Sequence, residues 1–278
     1  MNRTLQDAYI VAATRLPVGR KNGIYAATRP DDLLAQALRA VVAQVPALDP
    51  GRIGDVICGC AMPEAEQGMN VARIGLLLAG LPDTVPGMTL NRFCASGLQA
   101  VADAAARIRL GEADAVIAAG TESMSVMPQM TGNKTAINPA VFEREENLAI
   151  AYGMGLTAEK VAERWQIGRE AQDAFAVESH RRATAAIAAG HFRAEITPAA
   201  VVRRQPDLAR GEVRVSATAV DVDEGPRADS SRESLARLKP VFHARGSVTA
   251  GNSSQMSDGA ADVLLGYGRV LKEHGLNP

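Results

Sequence analysis

The sequence predicts an α/β fold, in which a βαβαβαβ arrangement forms a mixed, mainly parallel sheet covered by helices on both faces. Two observations support this prediction. Apolar segments of strand length alternate with amphipathic helical patterns over roughly the first 120 residues. Glycine and proline residues lie between these segments and mark the turns. In such folds, ligands usually bind where the strands reach their carboxyl ends.

The elements of this first part follow one another in a regular order. Strands are predicted at 8–14, 54–60, 85–90 and 113–120. Helices are predicted at 31–45, at 70–79 and directly after Cys94. Asp31 and Asp32 favour a helix start because acidic side chains complement the positive end of the helix dipole. Gly80 favours a helix end because glycine readily adopts the left-handed conformation found there.

The remaining elements are less regular and indicate an inserted subdomain. They are helices at 157–165 and 169–189, a hairpin at 196–202 and 211–216, an acidic turn at 221–227, a short helix at 259–261 and a strand at 263–265. We interpret residues 1–278 as one domain whose core, 1–121 and 242–278, carries a loop subdomain at 122–241. An unrelated second domain at 122–241 is the alternative.

The composition gives no reason to expect several classes of partner, although a locally basic groove for a phosphorylated ligand stays open. Lysine plus arginine (30) nearly balance aspartate plus glutamate (31), so the net charge of −1 gives no reason to expect nucleic acid or an anionic membrane. No uncharged apolar run approaches the roughly 18 residues of a membrane span, and no signal-peptide block follows Met1. A cytoplasmic enzyme is therefore expected. Cys58 and Cys60 share one side of a predicted strand without further ligands at metal-binding spacing, which favours core packing.

Cys94 is the candidate nucleophile. It lies where the strand at 85–90 ends and the next helix begins. The free N–H groups and the positive end of that helix favour a thiolate over a thiol, and a thiolate is a good acyl acceptor. A small buried hydrophobic residue is the alternative, since free cysteines often have that role. The inner face of this helix is predicted to comprise Leu98, Val101, Ala105 and Ile108.

Several separated segments together resemble the thiolase family. They are 91–100 (NRFCASGLQA), 120–125 (GTESMS), 154–159 (MGLTAE), 247–254 (SVTAGNSS) and 257–261 (SDGAA). The resemblance extends over essentially the entire chain. Two more segments, 59–64 (GCAMPE) and 66–73 (EQGMNVAR), resemble the degradative 3-oxoacyl-CoA branch more than the biosynthetic acetoacetyl branch.

The resemblance implies a thiolase-like fold and an acyltransferase of the fatty-acid β-oxidation type, working in either direction. Cys94 would attack the 3-keto carbon of a 3-oxoacyl-CoA, release acetyl-CoA and hold the shortened chain as a thioester until CoA accepts it. The backbone N–H of Cys94 would form half of an oxyanion hole. Coenzyme A is then a co-substrate, and neither a resident cofactor nor a metal ion is expected.

Three further residues match family positions that contact the substrate. Ser254 matches a serine near the pantetheine arm of CoA, Met154 matches a methionine that lines the acyl pocket, and Arg227 falls in the region that meets the adenine and phosphate end. Taken without the resemblance, Ser254 could be a turn residue, Met154 a core residue and Arg227 a solvated loop charge.

Other parts of the family's catalytic machinery have no match in these 278 residues. The family has a Gly-His-Pro whose histidine activates the nucleophile, a second cysteine followed by glycines, and an Asn-Glu motif. None of the histidines here is followed by proline; they are His180, His191, His243 and His274. The resemblance therefore covers the N-terminal half of the family fold, and we expect the C-terminal half to be absent.

Three hypotheses about function follow. The first is an acyltransferase whose C-terminal half is supplied elsewhere or lost; its expected partners are a separately supplied C-terminal half or a β-oxidation partner subunit. The second is a non-catalytic fragment or CoA-binding module. The third is a condensing enzyme of the β-ketoacyl synthase type, against which residues 91–97 argue. Since family members are dimers or tetramers, a homo-oligomer is expected, and an uncovered apolar face on the Cys94 helix would also favour association.

Overall fold

The structure is a computed structural model that describes residues 5–126, 137–273 and 275. The chain divides into two compact units. The first comprises Met1–Asn133, Arg193–Glu224 and Met256–Pro278, and the second comprises Lys134–Phe192 and Gly225–Gln255. Within the described ranges, every helix is too short or too polar to span a bilayer.

The first unit contains the sheet. Its strands are β1 (Ala8–Arg15), β2 (Gly19–Arg20), β3 (Ile53–Gly59), β4 (Gly87–Leu90), β5 (Ala115–Ser123), β6 (Ala199–Asp207), β7 (Glu212–Val220) and β8 (Ser257–Tyr267). Its helices are α1 (Pro30–Ala43), α2 (Val71–Ala79), α3 (Ser96–Arg109) and α7 (Gly268–Glu273). The predicted strands and helices of the first 120 residues are thereby confirmed, with ends shifted by a few residues.

The main sheet is mixed, as predicted. Among the described residues it has six strands in the order β1-β8-β5-β3-β4, with β2 also paired to β8. Strand β3 runs parallel to both β4 and β5, whereas β8 runs antiparallel between β5 and β1. The carboxyl ends of β3, β4 and β5 therefore meet at one edge of the sheet, which is the edge where ligands usually bind.

The predicted short helix at 259–261 is wrong, because these residues belong to β8. Residues of β8 alternate between buried and less buried positions, with Ala260 and Leu264 in the interior. Pairing on both sides, to β1 and β5, satisfies the backbone of this segment. Those ladder hydrogen bonds outweigh the local helix signal of Ser257 and Gly259.

The sheet is covered by helices on both faces. Val56 and Cys58 of β3 pack in one apolar cluster with Leu34 and Leu38 of α1. Ile57, between them in sequence, packs on the opposite face with Ala100 and other residues of α3. This alternation follows from the two-residue period of a strand.

Cys58 and Cys60 lie in the first of these clusters, so their predicted role in core packing is confirmed. Burial is the main cause that raises the pKa of Cys60 to about 12, and it raises the pKa of Cys58 well above its ordinary value. Both groups are therefore held as inert thiols.

The predicted hairpin is confirmed as β6 and β7, which pair antiparallel. Its inner residues Ala199 and Val201 are buried with Leu16 and Leu33, so the hairpin packs within the first unit. The sequence predicts a core of 1–121 and 242–278 that carries an insertion at 122–241. The two compact units have different bounds, because the hairpin belongs to the first unit. The division into a core and an inserted subdomain stays a prediction.

The second unit is mainly helical. Its α-helices in the described part of the chain are α4 (Met154–Trp165), α5 (Arg169–Ala188) and α6 (Arg232–Ala236). The helices predicted at 157–165 and 169–189 are confirmed. Gly155 allows close packing in this unit, because a Cβ atom there would lie 2.2 Å from the ring of Phe242.

Candidate active site

Cys94 lies in the loop between β4 and α3, at the edge of the sheet where the carboxyl ends of β3, β4 and β5 meet. The start of α3 approaches β3 very closely at Gly59. A Cβ atom on Gly59 would lie 2.6 Å from the carbonyl carbon of Ser96 and 2.8 Å from the nitrogen of Gly97. Because real side chains do not tolerate such distances, only glycine at position 59 allows α3 to begin where it does.

The loop that carries Cys94 is held in an uncommon conformation by its own polar groups. Phe93 has a positive φ of 48°, which a bulky side chain rarely adopts. Ser96 Oγ accepts a hydrogen bond from the N–H of Arg92 (2.8 Å) and donates one to the carbonyl of Phe93 (2.6 Å). Asn91 Oδ1 accepts one from the N–H of Phe93 (2.8 Å). These contacts compensate for the strain at Phe93 and fix the backbone on both sides of Cys94.

Cys94 itself is exposed, unlike the two core cysteines. The alternative of a buried small hydrophobic residue is therefore wrong. Among the described residues, the N–H of Cys94 has no hydrogen-bond partner, whereas the N–H groups of Ala95 and Ser96 donate to the carbonyls of Arg92 and Phe93. An accessible sulfur beside an open backbone donor is an arrangement that can attack a carbonyl group and stabilise the resulting oxyanion.

The predicted inner face of α3 needs correction at Leu98, whereas Val101, Ala105 and Ile108 pack in the apolar cluster below the helix as predicted. Leu98 is 76% exposed, and the buried residues of the helix are Ser96, Ala100, Ala104 and Ile108. The close approach of α3 to the sheet leaves room mainly for small side chains. The larger Leu98 lies outside that contact, although its spacing to Ile108 suits a helical face.

Two buried polar networks that the sequence did not reveal support this edge of the sheet. In the first, Glu122 at the end of β5 accepts hydrogen bonds from the N–H of Ala61 (2.7 Å) and from Gln67 Nε2. Gln67 is completely buried and also accepts a hydrogen bond from the N–H of Ser123 (3.1 Å). Burial raises the pKa of Glu122. This network joins the loop after β3 to the end of β5.

The second network is centred on Asp258 of β8. Its carboxylate accepts hydrogen bonds from Ser123 Oγ (3.3 Å), from the N–H of Ser125 (2.9 Å) and from Ser125 Oγ. Ser125 Oγ in turn accepts one from the N–H of Asn22 (2.6 Å). All of these residues except Asn22 lie in the family-like segments 120–125 and 257–261. The resemblance of these segments to the family could have indicated that the residues matter, but it does not specify which residues contact one another.

The other three candidate residues belong to the second unit. Met154 is the first residue of α4 and is 69% exposed, so the alternative of a core residue is wrong. Arg227 is exposed; its guanidinium pairs with Asp229 (3.1 Å), and its N–H donates to His180 Nδ1 (3.1 Å). Ser254 is also exposed, and its Oγ donates to the carbonyl of Gln255 (3.2 Å).

These contacts do not test the ligand roles of the three residues, which stay predictions. Among the described residues of the second unit, no hydrogen bond or ion pair joins Met154, Arg227 and Ser254 to one another. Cys94, the fourth candidate residue, belongs to the first unit and is described separately above.

Comparisons with known proteins agree on one family. The family model described as "Thiolase, N-terminal domain" matches residues 8–267. The 3-ketoacyl-CoA thiolase of Bacillus subtilis (strain 168) is 46% identical over 263 residues, and the match covers 94% of this chain and 66% of that protein. The β-ketoadipyl-CoA thiolase of Pseudomonas aeruginosa is 40% identical over 293 residues, which cover 98% of this chain and 69% of that protein.

A plant relative and a solved structure extend this similarity. The peroxisomal 3-ketoacyl-CoA thiolase 1 of Arabidopsis thaliana is 44% identical, with coverage of 97% of this chain and 60% of that protein. The crystal structure of the Bacillus anthracis acetyl-CoA acetyltransferase matches with a TM-score of 0.83 and 35% identity, covering all of this chain and 69% of the other. The chain thus spans 60 to 69% of the length of these four proteins.

Proposed function

Because the chain belongs to the thiolase family, we propose that Cys94 accepts an acyl group from a coenzyme A thioester. The observation that carries this proposal is the exposed Cys94 thiol beside its own open N–H, on a loop fixed by Ser96. An acyl chain held on sulfur divides a difficult carbon–carbon cleavage into two easier acyl transfers.

The proposed substrate is a 3-oxoacyl-CoA. The Cys94 thiolate adds to the C3 carbonyl, and the C2–C3 bond then breaks with its electron pair passing to C2. Water passes to C2 the proton that the Cys94 thiol released on ionising, which completes acetyl-CoA, while the shortened acyl group remains on Sγ as a thioester. Free CoA attacks this thioester, and its thiol proton is transferred to the Cys94 sulfur as Cys94 leaves. The Cys94 N–H donates to the oxyanion in each addition step.

The names of the relatives support this class of substrate, since they include 3-ketoacyl-CoA and β-ketoadipyl-CoA thiolases. We propose a reaction of the β-oxidation type, because segments 59–64 and 66–73 resemble the degradative 3-oxoacyl-CoA branch of the family. Met154, Ser254 and Arg227 are the proposed contacts for the acyl chain, the pantetheine arm and the nucleotide end. We further propose a cytoplasmic homo-oligomer.

A second candidate function is a CoA-binding module without turnover. It would apply to a polypeptide in which no general base serves Cys94, since a general base typically contributes about 10²- to 10⁴-fold to a rate. On the first proposal, full turnover uses the family's C-terminal catalytic groups together with Cys94, whether they belong to the same polypeptide or to a second one.

The two functions differ in whether an acyl-enzyme forms. We expect intact-mass spectrometry after incubation with acetoacetyl-CoA to show an acetyl adduct on the wild-type chain and none on Cys94→Ala. The variant keeps the buried Cys58 and Cys60, so it controls for nonspecific acylation. CoA binding to a folded chain without an adduct would favour the binding module, and an equal adduct on Cys94→Ala would refute the role of Cys94.

A further inference from the structure

The turn formed by residues 247–252 immediately precedes Ser254 and is fixed within the second unit. Val248 and Thr249 are buried, and Ser254 at its exit is exposed. Gly251 packs so tightly that a Cβ atom there would lie 2.3 Å from Leu235 of α6. The hydroxyl of Ser254 donates to the neighbouring carbonyl of Gln255, and its backbone follows the 247–252 turn by two residues, so the turn is one of the two segments that position Ser254.

Glu159 of α4 holds the start of the 247–252 turn. Its carboxylate accepts hydrogen bonds from the N–H of Ser247 (2.9 and 3.0 Å to its two oxygens) and from the N–H of Val248 (2.9 Å). Ser247 Oγ donates a further, longer bond of 3.3 Å. Burial opposes ionisation, but the hydrogen bonds from Ser247 and Val248 outweigh it and lower the pKa of Glu159. The carboxylate is thus matched to adjacent backbone donors.

Asp173 of α5 holds the end of the same turn. It is buried, and its two oxygens accept hydrogen bonds from Asn252 Nδ2 (2.9 Å) and Arg169 Nε (2.7 Å). The amide of Asn252 is thereby oriented so that its Oδ1 accepts from the N–H of Thr249 (2.7 Å) and its Nδ2 also donates to the carbonyl of Ser247 (3.1 Å). Asp173 therefore acts on the backbone of the turn through Asn252.

We propose that Glu159 and Asp173 are positioning residues for the binding of coenzyme A, because they fix the 247–252 turn and with it Ser254. The inference rests on the proposed function, in which Ser254 contacts the pantetheine arm. Two carboxylates on separate helices secure opposite ends of one short turn. Neither of them needs to touch the ligand for this role.

Calorimetric titration with CoA tests the proposal. We expect Glu159→Gln and Asp173→Asn each to weaken CoA binding about tenfold, because an amide group presents an N–H donor where a second acceptor is needed. Ser254→Ala should weaken binding directly. Adding Glu159→Gln to Ser254→Ala should cause little further loss, since both changes act through Ser254. Glu163→Gln is the matched control on α4, because Glu163 is exposed and its carboxylate pairs with Lys160, so affinity should not change.

Hydrogen exchange separates the local effect from general unfolding. In Glu159→Gln the amides of Ser247 and Val248 should exchange faster, while α5 stays protected. Wild-type affinity in both Glu159→Gln and Asp173→Asn, or fully additive losses in the double variant, would overturn the proposal, as would unchanged exchange at Val248. A folded wild-type chain that does not bind CoA would instead refute the proposed function, and the exchange data would still decide whether Glu159 holds the turn.

Discussion

Asp262 places a carboxyl group in the interior of the main sheet, in the middle of β8. It is 1% exposed, its neighbours in the sheet register are Ala119 and Thr14, and neither carboxyl oxygen has a hydrogen-bond partner among the described residues. Burial raises the pKa of Asp262 well above its ordinary value. The fold therefore disfavours the ionised form of Asp262, and burying a carboxyl group without a hydrogen-bond partner costs stability.

This placement predicts a pH-dependent stability. Because the pKa of Asp262 is higher in the folded than in the unfolded state, the folded state binds more protons, and this group's contribution falls as pH rises above about 4. We expect Asp262→Ala to raise the free energy of unfolding by about 1–3 kcal/mol at pH 8 and by less at pH 5, measured by urea denaturation.

The exposed Asp221→Ala serves as the control for Asp262→Ala, and its stability should match wild type at both pH values. A loss of stability in Asp262→Ala at both pH values, or a gain that does not depend on pH, would contradict this interpretation.

The contribution of Asp223 to stability depends on pH in the opposite direction. Its carboxylate accepts hydrogen bonds from both terminal nitrogens of Arg15 (2.7 and 2.9 Å) and from the N–H of Val18 (2.8 Å). Burial opposes ionisation, but these contacts outweigh it and lower the pKa of Asp223. Stability from this group is therefore complete above about pH 4 and is lost as pH falls through the lowered pKa.

Substitution of Asp223 tests whether its contribution to stability is lost at low pH. We expect Asp223→Asn to lower the free energy of unfolding by about 1–2 kcal/mol at pH 7, with a smaller difference from wild type as pH falls below about 4. Urea denaturation at pH 7 and pH 3 measures it. An equal loss at pH 7 and pH 3 would show that the charge of Asp223 is not the cause.

At the scale of elements, the contact between β3 and α3 determines where the Cys94 loop begins. We expect Gly59→Ala to destabilise the first unit by about 1–3 kcal/mol, because the added methyl group overlaps the backbone of Ser96 and Gly97. Urea denaturation measures the change. Gly97→Ala is the matched control, since its Cβ would have no atom within 4 Å and alanine favours helices. Equal stability of Gly59→Ala and wild type would show that α3 can move without cost.

The sequence predicts elements well where periodicity and local signals coincide. Helix α2 begins at the Asn70 cap and ends at Gly80, which has a positive φ, and both features are local. The antiparallel β8 could not be identified in full, because its pairing partners β1 and β5 are distant in sequence. Its cap-like residues gave a misleading helix signal.

In the candidate site, too, local features could be predicted from the sequence and long-range contacts could not. The position of Cys94 between a strand and a helix follows from the local pattern around it. The strained φ of Phe93, the Gln67 bond to the end of β5 and the clamp of Glu159 on Ser247 depend on contacts that only the folded chain creates. Polar networks between distant segments leave no periodic signal, so sequence reasoning did not find them.

At the scale of the whole molecule, the first unit leaves apolar side chains and a strand edge uncovered. Met69 is 95% exposed, Phe93 and Leu98 are exposed as well, and β4 has β3 as its only strand partner in the described part of the sheet. Exposed apolar groups and unpaired strand edges both favour association.

We therefore expect the chain to self-associate at micromolar concentration, and Leu98→Gln to weaken the association about tenfold or more. Sedimentation velocity over a concentration series measures this effect. Leu208→Gln is the control, because Leu208 is even more exposed than Leu98 but follows β6 in the hairpin turn. A monomer at all concentrations would contradict the expectation of a homo-oligomer.

The role of Cys94 as acyl acceptor is tested most directly by locating the acyl group. The chain is incubated with acetoacetyl-CoA, quenched in acid and digested, and the three cysteine-containing positions are compared by mass spectrometry. We expect the acetyl group on Cys94 alone, with Cys58 and Cys60 unmodified because both are buried. An acyl group on Cys58 or Cys60, or a folded chain that carries none on Cys94, would contradict the proposal.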